Sequence, residues 1–234
     1  MTLLPEMVEI SAGEVLLGVP EYPRDYPLAH RWKGPREVPV PTFQLGKFPV
    51  TGAEYDSFLG ATSHEIPVDW TDPLLSDPRL PVCGLSWQDA QAYCDWLSKT
   101  SGKLFRLLSA DEWEKAARGG LVGKRYPWGN EDPTGRCCFG RTADSAPVPV
   151  GSYPPNRYGL YDMVGNVWGW LSDLYTEIAT DAPVNAPTGR PAELNRVLVG
   201  GSFMTPGPEA LWVAYRHEDP PDLRHRCLGF RVAI

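Results

Sequence analysis

The strongest constraint on the fold of this chain is the density of turn residues between Tyr126 and Pro191. Pairs such as Gly129-Asn130, Asp132-Pro133 and Gly165-Asn166 recur at intervals too short for long helices. The whole chain has 25 Pro, 23 Gly and 9 Trp in 234 residues. This composition predicts a loop-rich fold in which large aromatic side chains anchor irregular backbone.

Helix start signals are concentrated in the first half of the chain. Thr51 with Glu54, and Ser109 with Glu112, have the spacing of capping boxes, and Ser86 precedes a stretch with helical periodicity. Short strands are predicted at Val8–Ile10, Val15–Leu17, Phe43–Phe48, Arg196–Val199 and Leu228–Val232. Since helices come early while strands and long loops come late, we predict one α+β domain over residues 1–234 with much irregular structure.

Charge and cysteine usage narrow the functional classes. The net charge is −7 and no cluster of Lys and Arg stands out, so nucleic acid is not an expected partner. No apolar run approaches the roughly 20 residues that span a bilayer, and the N-terminus has no signal-peptide pattern. The 5 cysteines lack the spacing of a disulfide framework. These features favour a cytoplasmic protein with reduced thiols that does not interact with membranes.

A series of motifs gives the chain a family resemblance. They include Gly84-Leu85-Ser86-Trp87, Tyr158-Gly159-Leu160-Tyr161, Gly165-Asn166-Val167-Trp168, Gly200-Gly201-Ser202-Phe203 and Gly229-Phe230-Arg231. From about Met7 to its C-terminus the chain resembles the sulfatase-modifying-factor family, which includes the formylglycine-generating enzymes. The resemblance implies a large variant of the C-type lectin fold. Because such motifs of glycine and tryptophan report fold, they do not by themselves predict activity.

The catalytic cysteines of that family are missing. Formylglycine-generating members use a copper-binding cysteine pair that follows the Gly-Gly-Ser-aromatic motif, but the stretch from Phe203 to Trp212 contains no cysteine, and Thr205 cannot replace a thiolate ligand. We therefore predict that the chain is not an enzyme. The alternative is a divergent formylglycine-generating or iron-dependent oxidoreductase relative, for which His217, His225 and Cys227 would be the candidate metal ligands.

The same resemblance implies a calcium site. Asn166 and the carbonyl of Val167 match one calcium site of the family, whereas Gly169 stands where an acidic residue is usual. Calcium prefers several hard oxygen ligands, and the loss of a carboxylate weakens a site. We predict no cofactor other than calcium at this position.

A second resemblance concerns the end of the chain. Ala214-Tyr215-Arg216, Pro221-Asp222 and Leu228-Gly229-Phe230-Arg231 resemble the framework of the variable region in proteins diversified by retroelements, which replace adenines in a template rich in AAC codons. Seven of the eight residues between these framework positions can arise from AAC, and Glu218 is the exception. This resemblance implies that residues 198–234 form a variable region that binds a ligand.

The composition of this region also favours recognition, because it mixes aromatic residues with His, Asp and Arg. If Arg216, Arg224 and Arg231 anchor the backbone, the residues between them can vary without disturbing the fold. We predict a protein ligand, since a broad mixed surface suits one better than a small molecule. An inert last pair of strands and a scaffolding module are the other interpretations. The predicted contact residues are Phe203, Thr205, Trp212, Tyr215, His217, Glu218, Asp219, Leu223, His225, Arg226 and Cys227.

Overall fold

Each of the three predicted helices begins at its predicted cap. The computed structural model describes residues 3–19, 31, 34–175 and 195–234. Within them, α1 spans Gly52–Ala61, α2 spans Trp87–Ser101 and α3 spans Ala110–Arg118, and each begins with a complete capping box. The third residue of each helix is acidic, so its carboxylate satisfies the main-chain N–H of the cap residue. These helices confirm the α+β assignment.

The strands of the described residues form three sheets that bring distant parts of the chain together. They are β1 Met7–Ile10, β2 Gly13–Leu17, β3 Arg36–Val40, β4 Phe43–Gly46, β5 Arg106–Leu107, β6 Trp168–Leu174, β7 Arg196–Val199, β8 His217–Asp219, β9 Leu228–Phe230 and β10 Val232–Ala233. Strand β4 lies between β1 and β10 in a four-stranded sheet of order β1-β4-β10-β5, strands β2 and β3 form a two-stranded sheet, and the other four-stranded sheet has the order β8-β7-β6-β9.

The structure divides one predicted strand and adds another where only turns were predicted. The predicted strand Leu228–Val232 is divided at Arg231, and its halves β9 and β10 belong to different sheets. At this division the buried guanidinium of Arg231 donates to the carbonyl oxygens of Gly46 and Tyr161. The turn-rich stretch contains an unpredicted strand, β6, which pairs with β7 and β9. The part of that stretch from 176 to 191 lies outside the described residues.

A buried ionic group links α3 to the first and last parts of the chain. The Glu114 carboxylate accepts hydrogen bonds from Arg118, from Arg216 and from the main-chain N–H of Gly18. The side chains of Glu114, Arg118 and Arg216 are all at most 2% exposed. A carboxylate so deeply buried is tolerated only because cations and an N–H group surround it.

We expect Glu114→Ala to lower the free energy of unfolding by about 3–5 kcal/mol, because it leaves two buried guanidinium groups without their anion. Urea denaturation measures this change. The matched control is Asp111→Ala on the same helix, which removes the partially exposed ion pair with Arg36 and should cost at most about 1 kcal/mol. Equal losses for both variants would contradict the structural role of Glu114.

Candidate functional site

Three arginines anchor the end of the chain to the rest of the domain. Arg216 bonds to Glu114 in the interior, Arg231 donates to the main chain of Gly46, and Arg224 donates through Nε and Nη2 to both carboxylate oxygens of Asp89, at 2.8 Å each. Between Arg216 and Arg224 the chain forms β8 and then a loop. The residues of this part are therefore held at both ends by buried carboxylates.

Asp89 is the second of these carboxylates and belongs to the capping box of α2. It is 3% exposed and accepts hydrogen bonds from Ser86, His64 and Arg224. Burial opposes its ionisation, but the hydrogen bonds from Arg224 and Ser86 outweigh burial and hold the pKa of Asp89 below its ordinary value. Asp89 thus fixes the N-terminus of α2, the loop after α1 and the C-terminal loop at one point.

Five of the predicted contact residues lie in the interior. Phe203 is fully buried, and Thr205 accepts a hydrogen bond from the main-chain N–H of Ser202. Trp212 packs under the guanidinium of Arg125, which lies 4.7 Å from its ring centroid. The prediction that these side chains face a ligand is wrong because they fill core space instead. The buried members of the predicted set are Phe203, Thr205, Trp212, Tyr215 and Cys227.

The other six predicted residues lie at least partly on the surface, and a second loop accompanies them. Leu223 and His225 are exposed, whereas Arg226 and the three residues of β8, His217, Glu218 and Asp219, are half-buried. Ion pairs Arg224–Glu65 and Arg226–Asp72 hold the loop of residues 64–76 against this segment. We call residues 64–76 and 217–226 together the two-loop surface.

Sequence reasoning missed the 64–76 half of the two-loop surface. Its exposed apolar side chains are Ile66 at 50%, Val68 at 37% and Leu74 at 53%. They are about 150 positions before Leu223 in the chain, and nothing in the local sequence connects them. The acidic residues Glu65 and Asp72, which could pair with arginines elsewhere, were the only local signal, and many exposed acids have no such partner.

At one edge of the two-loop surface, a histidine and an acid have strongly shifted pKa values. Burial, aided by the charge of Arg31, lowers the pKa of His217 to about 3, and burial raises the pKa of Asp219 to about 6. Nδ1 of His217 lies 2.8 Å from Nη1 of Arg31, and the imidazole packs on Trp168 with ring centroids 5.1 Å apart. His217 is therefore neutral at physiological pH and serves as an acceptor for Arg31.

The thiols of the described region lie in environments that oppose thiolate formation. Nδ1 of His225 lies 3.0 Å from Sγ of Cys227, but burial raises the pKa of Cys227 to about 11 and that of Cys83 to about 12. A nucleophilic or metal-binding thiol must be a thiolate near neutral pH, so these environments oppose both roles. Among the described residues no group of three His, Cys, Asp or Glu could hold a metal ion, and His217 pairs with Arg31 instead of joining His225 and Cys227.

The predicted calcium ligands have a different role. The side-chain oxygen of Asn166 accepts from the N–H of Val148 at 2.9 Å, and its amide nitrogen donates to the carbonyl of Val148 at 3.0 Å. The side chain is fully buried. Because Asn166 uses its amide to hold main chain, and Gly169 beside Val167 offers no carboxylate, the residues present do not fit a calcium ion.

The sequence matches a known protein family over its whole length. The family model of the sulfatase-modifying factor enzyme 1-like domain matches residues 1–234. The chain belongs to the sulfatase-modifying factor family. Among the described helices of this family member, none is both long and apolar enough to cross a membrane.

The curated relatives of this chain have different names: a protein kinase, a formylglycine-generating enzyme and an inactive C-alpha-formylglycine-generating enzyme. Serine/threonine-protein kinase pkn1 of Chlamydia pneumoniae is 34% identical over 99% of the chain, which spans 38% of that kinase. Formylglycine-generating enzyme of Bos taurus is 30% identical over 97% of the chain and 74% of the enzyme. Inactive C-alpha-formylglycine-generating enzyme 2 of Mus musculus is 29% identical over 98% of the chain and 85% of that protein. The family thus includes active and inactive members.

Solved structures confirm the fold. PvdO from Pseudomonas aeruginosa superposes with a TM-score of 0.78 and 29% identity, over 98% of this chain and 94% of PvdO. Treponema denticola variable protein 1 gives a TM-score of 0.78 with 24% identity, over 97% of this chain and 94% of the other. The chain has the C-type lectin-like fold of formylglycine-generating enzymes, as its motifs predicted.

The neutral state of His217 gives a pH-dependent prediction. Below pH 6.5 the unfolded chain takes up a proton at His217, whereas the folded chain does so only near pH 3, so stability from this residue is present above pH 6.5 and is lost as pH falls. The variant His217→Asn cannot titrate. The wild type and this variant differ in unfolding free energy, and we expect the difference in favour of the wild type to fall by about 1 kcal/mol from pH 7 to pH 5. This is less than the full pKa shift would give, because 31% of the His217 side chain stays exposed.

Urea titrations of both proteins at the two pH values measure this difference. Both proteins carry Asp219→Asn in this comparison, because Asp219 lies 3.6 Å from His217 and its raised pKa of about 6 falls in the same pH range. A wild-type advantage that is equal at pH 7 and pH 5 would contradict a buried, neutral His217.

The thiol environments give a second prediction. All 5 cysteines are buried, and we expect less than one thiol per chain to react rapidly with Ellman's reagent at pH 7.5, followed by all of them after denaturation. The absorbance time course measures this reaction. A single fast thiol that disappears in Cys227→Ser would identify Cys227 as reactive and count against the inert assignment; Cys94→Ser is the control.

Proposed function

We propose that this chain is a non-catalytic binding protein that uses the two-loop surface to bind a protein ligand. The observation that carries the proposal is the separation of anchors from surface residues in residues 216–231. Arg216, Arg224 and Arg231 direct their guanidinium groups to the interior. Leu223 and His225 flank Arg224 and are exposed. Leu223 can be replaced without loss of a core contact, whereas His225 contacts the buried Sγ of Cys227 at 3.0 Å.

The chemistry of the two-loop surface suits a protein partner. Exposed Ile66, Leu74 and Leu223 supply apolar contact area, and ion pairs such as Arg226–Asp72 supply polar groups between the two loops. Protein interfaces commonly combine apolar and polar area. Scattered exposed apolar residues need no explanation, but several on two adjoining loops favour a contact site.

The absence of suitable chemistry supports a binding role over an oxidase. Thr205 occupies the position at which the resemblance places a catalytic cysteine, and its hydroxyl bonds to Ser202 in the interior. The alternative thiols, Cys83 and Cys227, have raised pKa values. Diversification of the segment by a retroelement is part of the proposal, and it requires a reverse-transcriptase gene and an adenine-rich near-copy of the final coding sequence nearby.

A matched pair of substitutions tests the binding surface. Leu223→Asp places a charge on the two-loop surface, and Leu104→Asp places the same charge at a site that is 76% exposed. Leu104 follows the C-terminal end of α2, whereas Arg224 binds at its N-terminal end, so the 15 residues of the helix separate them by about 22 Å. Both proteins should melt at the wild-type temperature.

Pull-downs from an extract and from the culture medium of the source organism identify the partner. Calorimetry with the purified partner then measures its affinity for the wild type and for each variant. We expect Leu223→Asp to weaken binding at least tenfold, or about 1.4 kcal/mol, while Leu104→Asp binds as the wild type does. A partner that binds all three proteins equally, or oxidation of a cysteine-containing peptide by the wild type, would overturn the proposal.

A further inference from the structure

A cavity of about 390 Å³ lies among loops that take no part in the two-loop surface. Its walls come from residues 127–128, 134–137, 153–156, 160 and 162–164. Prolines at 127, 154 and 155 stiffen the walls, since each fixes a backbone dihedral. The volume is within the range of small-molecule sites. The cavity is therefore preformed and large enough for a compact organic molecule.

One wall of the cavity is aromatic. The Trp128 ring stacks on Tyr126 at a centroid distance of 5.2 Å and an interplanar angle of 13°, and its indole N–H donates to the carbonyl of Glu131 at 3.0 Å. These contacts hold the half-buried Trp128 in one orientation. Tyr153, also half-buried, lines the same cavity. Aromatic faces of this kind attract both apolar groups and cations.

The acid in the cavity lacks a cationic partner. Oδ2 of Asp162 accepts from the N–H of Gly151 at 2.7 Å, and no described Lys, Arg or His forms an ion pair with this carboxylate. Arg231, whose charge acts on Asp162, donates instead to the main-chain carbonyls of Tyr161 and Asp162. Burial raises the pKa of Asp162 although the charge of Arg231 opposes the shift. A desolvated carboxylate of this kind gains from a ligand that brings positive charge.

We propose that this cavity binds a small molecule with a primary ammonium group and an apolar body. The ammonium group pairs with Asp162, and the apolar body packs against Trp128 and Tyr153. Arg136 lines the cavity and is exposed, with no side-chain partner in the described part of the chain. A ligand that also carries a carboxylate can pair this group with Arg136. The proposal does not require such a carboxylate.

Three probes that share a phenyl ring separate the contributions of charge. They are 2-phenylethylamine, L-phenylalanine and 3-phenylpropionate, tested by calorimetry and ligand-observed NMR on the full chain at pH 7. We expect the two ammonium compounds to bind and the propionate, which carries only a negative charge, to bind at least tenfold more weakly. Binding of the propionate equal to that of the amine, or no binding of either ammonium compound at 10 mM, would overturn the proposal.

Asp162→Asn tests the carboxylate itself. Asparagine keeps an acceptor for Gly151 and tolerates the left-handed backbone at this position, where φ is 51°, so the fold should be retained. We expect at least a tenfold loss of amine affinity, whereas Asp132→Asn on the neighbouring exposed loop leaves the affinity unchanged.

If Asp162→Asn does not fold, Trp128→Leu provides the test, since it removes the aromatic face and should also weaken binding. Unchanged amine affinity in a folded Asp162→Asn variant, or in Trp128→Leu where that variant is needed, would contradict the assignment.

Discussion

The carboxylate of Glu114 joins parts of the chain that lie far apart in sequence. It sits on α3 and receives the N–H of Gly18, the guanidinium of Arg118 and that of Arg216. In the low-dielectric interior an unpaired charge costs several kcal/mol. Burial of the Glu114 carboxylate is therefore favourable only when all of its partners are buried with it. The end of β2, α3 and the start of the C-terminal segment therefore adopt one relative arrangement.

Asp89 repeats this arrangement at the other end of the loop. It binds Arg224 with both of its oxygens while completing the capping box of Ser86, so the same side chain begins α2 and fixes the loop. Glu114 and Asp89 hold the segment between Arg216 and Arg224 at two points. The exposed residues around Arg224 contribute little to the fold, because the free energy of anchoring comes from the arginines.

Local sequence signals predicted the helices. They did not predict strand β6 or the burial of two aromatic side chains, because these features depend on residues far away in the sequence. A capping box spans four residues, so those of Thr51, Ser86 and Ser109 could be identified in the sequence. Strand β6 could not, because it is defined by pairing with β7 and β9 within a stretch rich in turns. The burial of Phe203 and Trp212 was unpredictable for a similar reason: an aromatic residue in a loop-rich segment can face the core or the solvent, and only the packed neighbours decide.

The fold and the chemistry of this family member are separable for a physical reason. The frame depends on buried arginine–carboxylate pairs and on tryptophans, neither of which involves a cysteine. Oxidation chemistry needs an accessible thiolate, but burial raises the pKa of all five thiols, and Thr205 offers a hydroxyl that is already bonded to Ser202. Since the arginine–carboxylate pairs that fix the frame contain no thiol, the frame does not depend on the cysteine chemistry of the active members of the family.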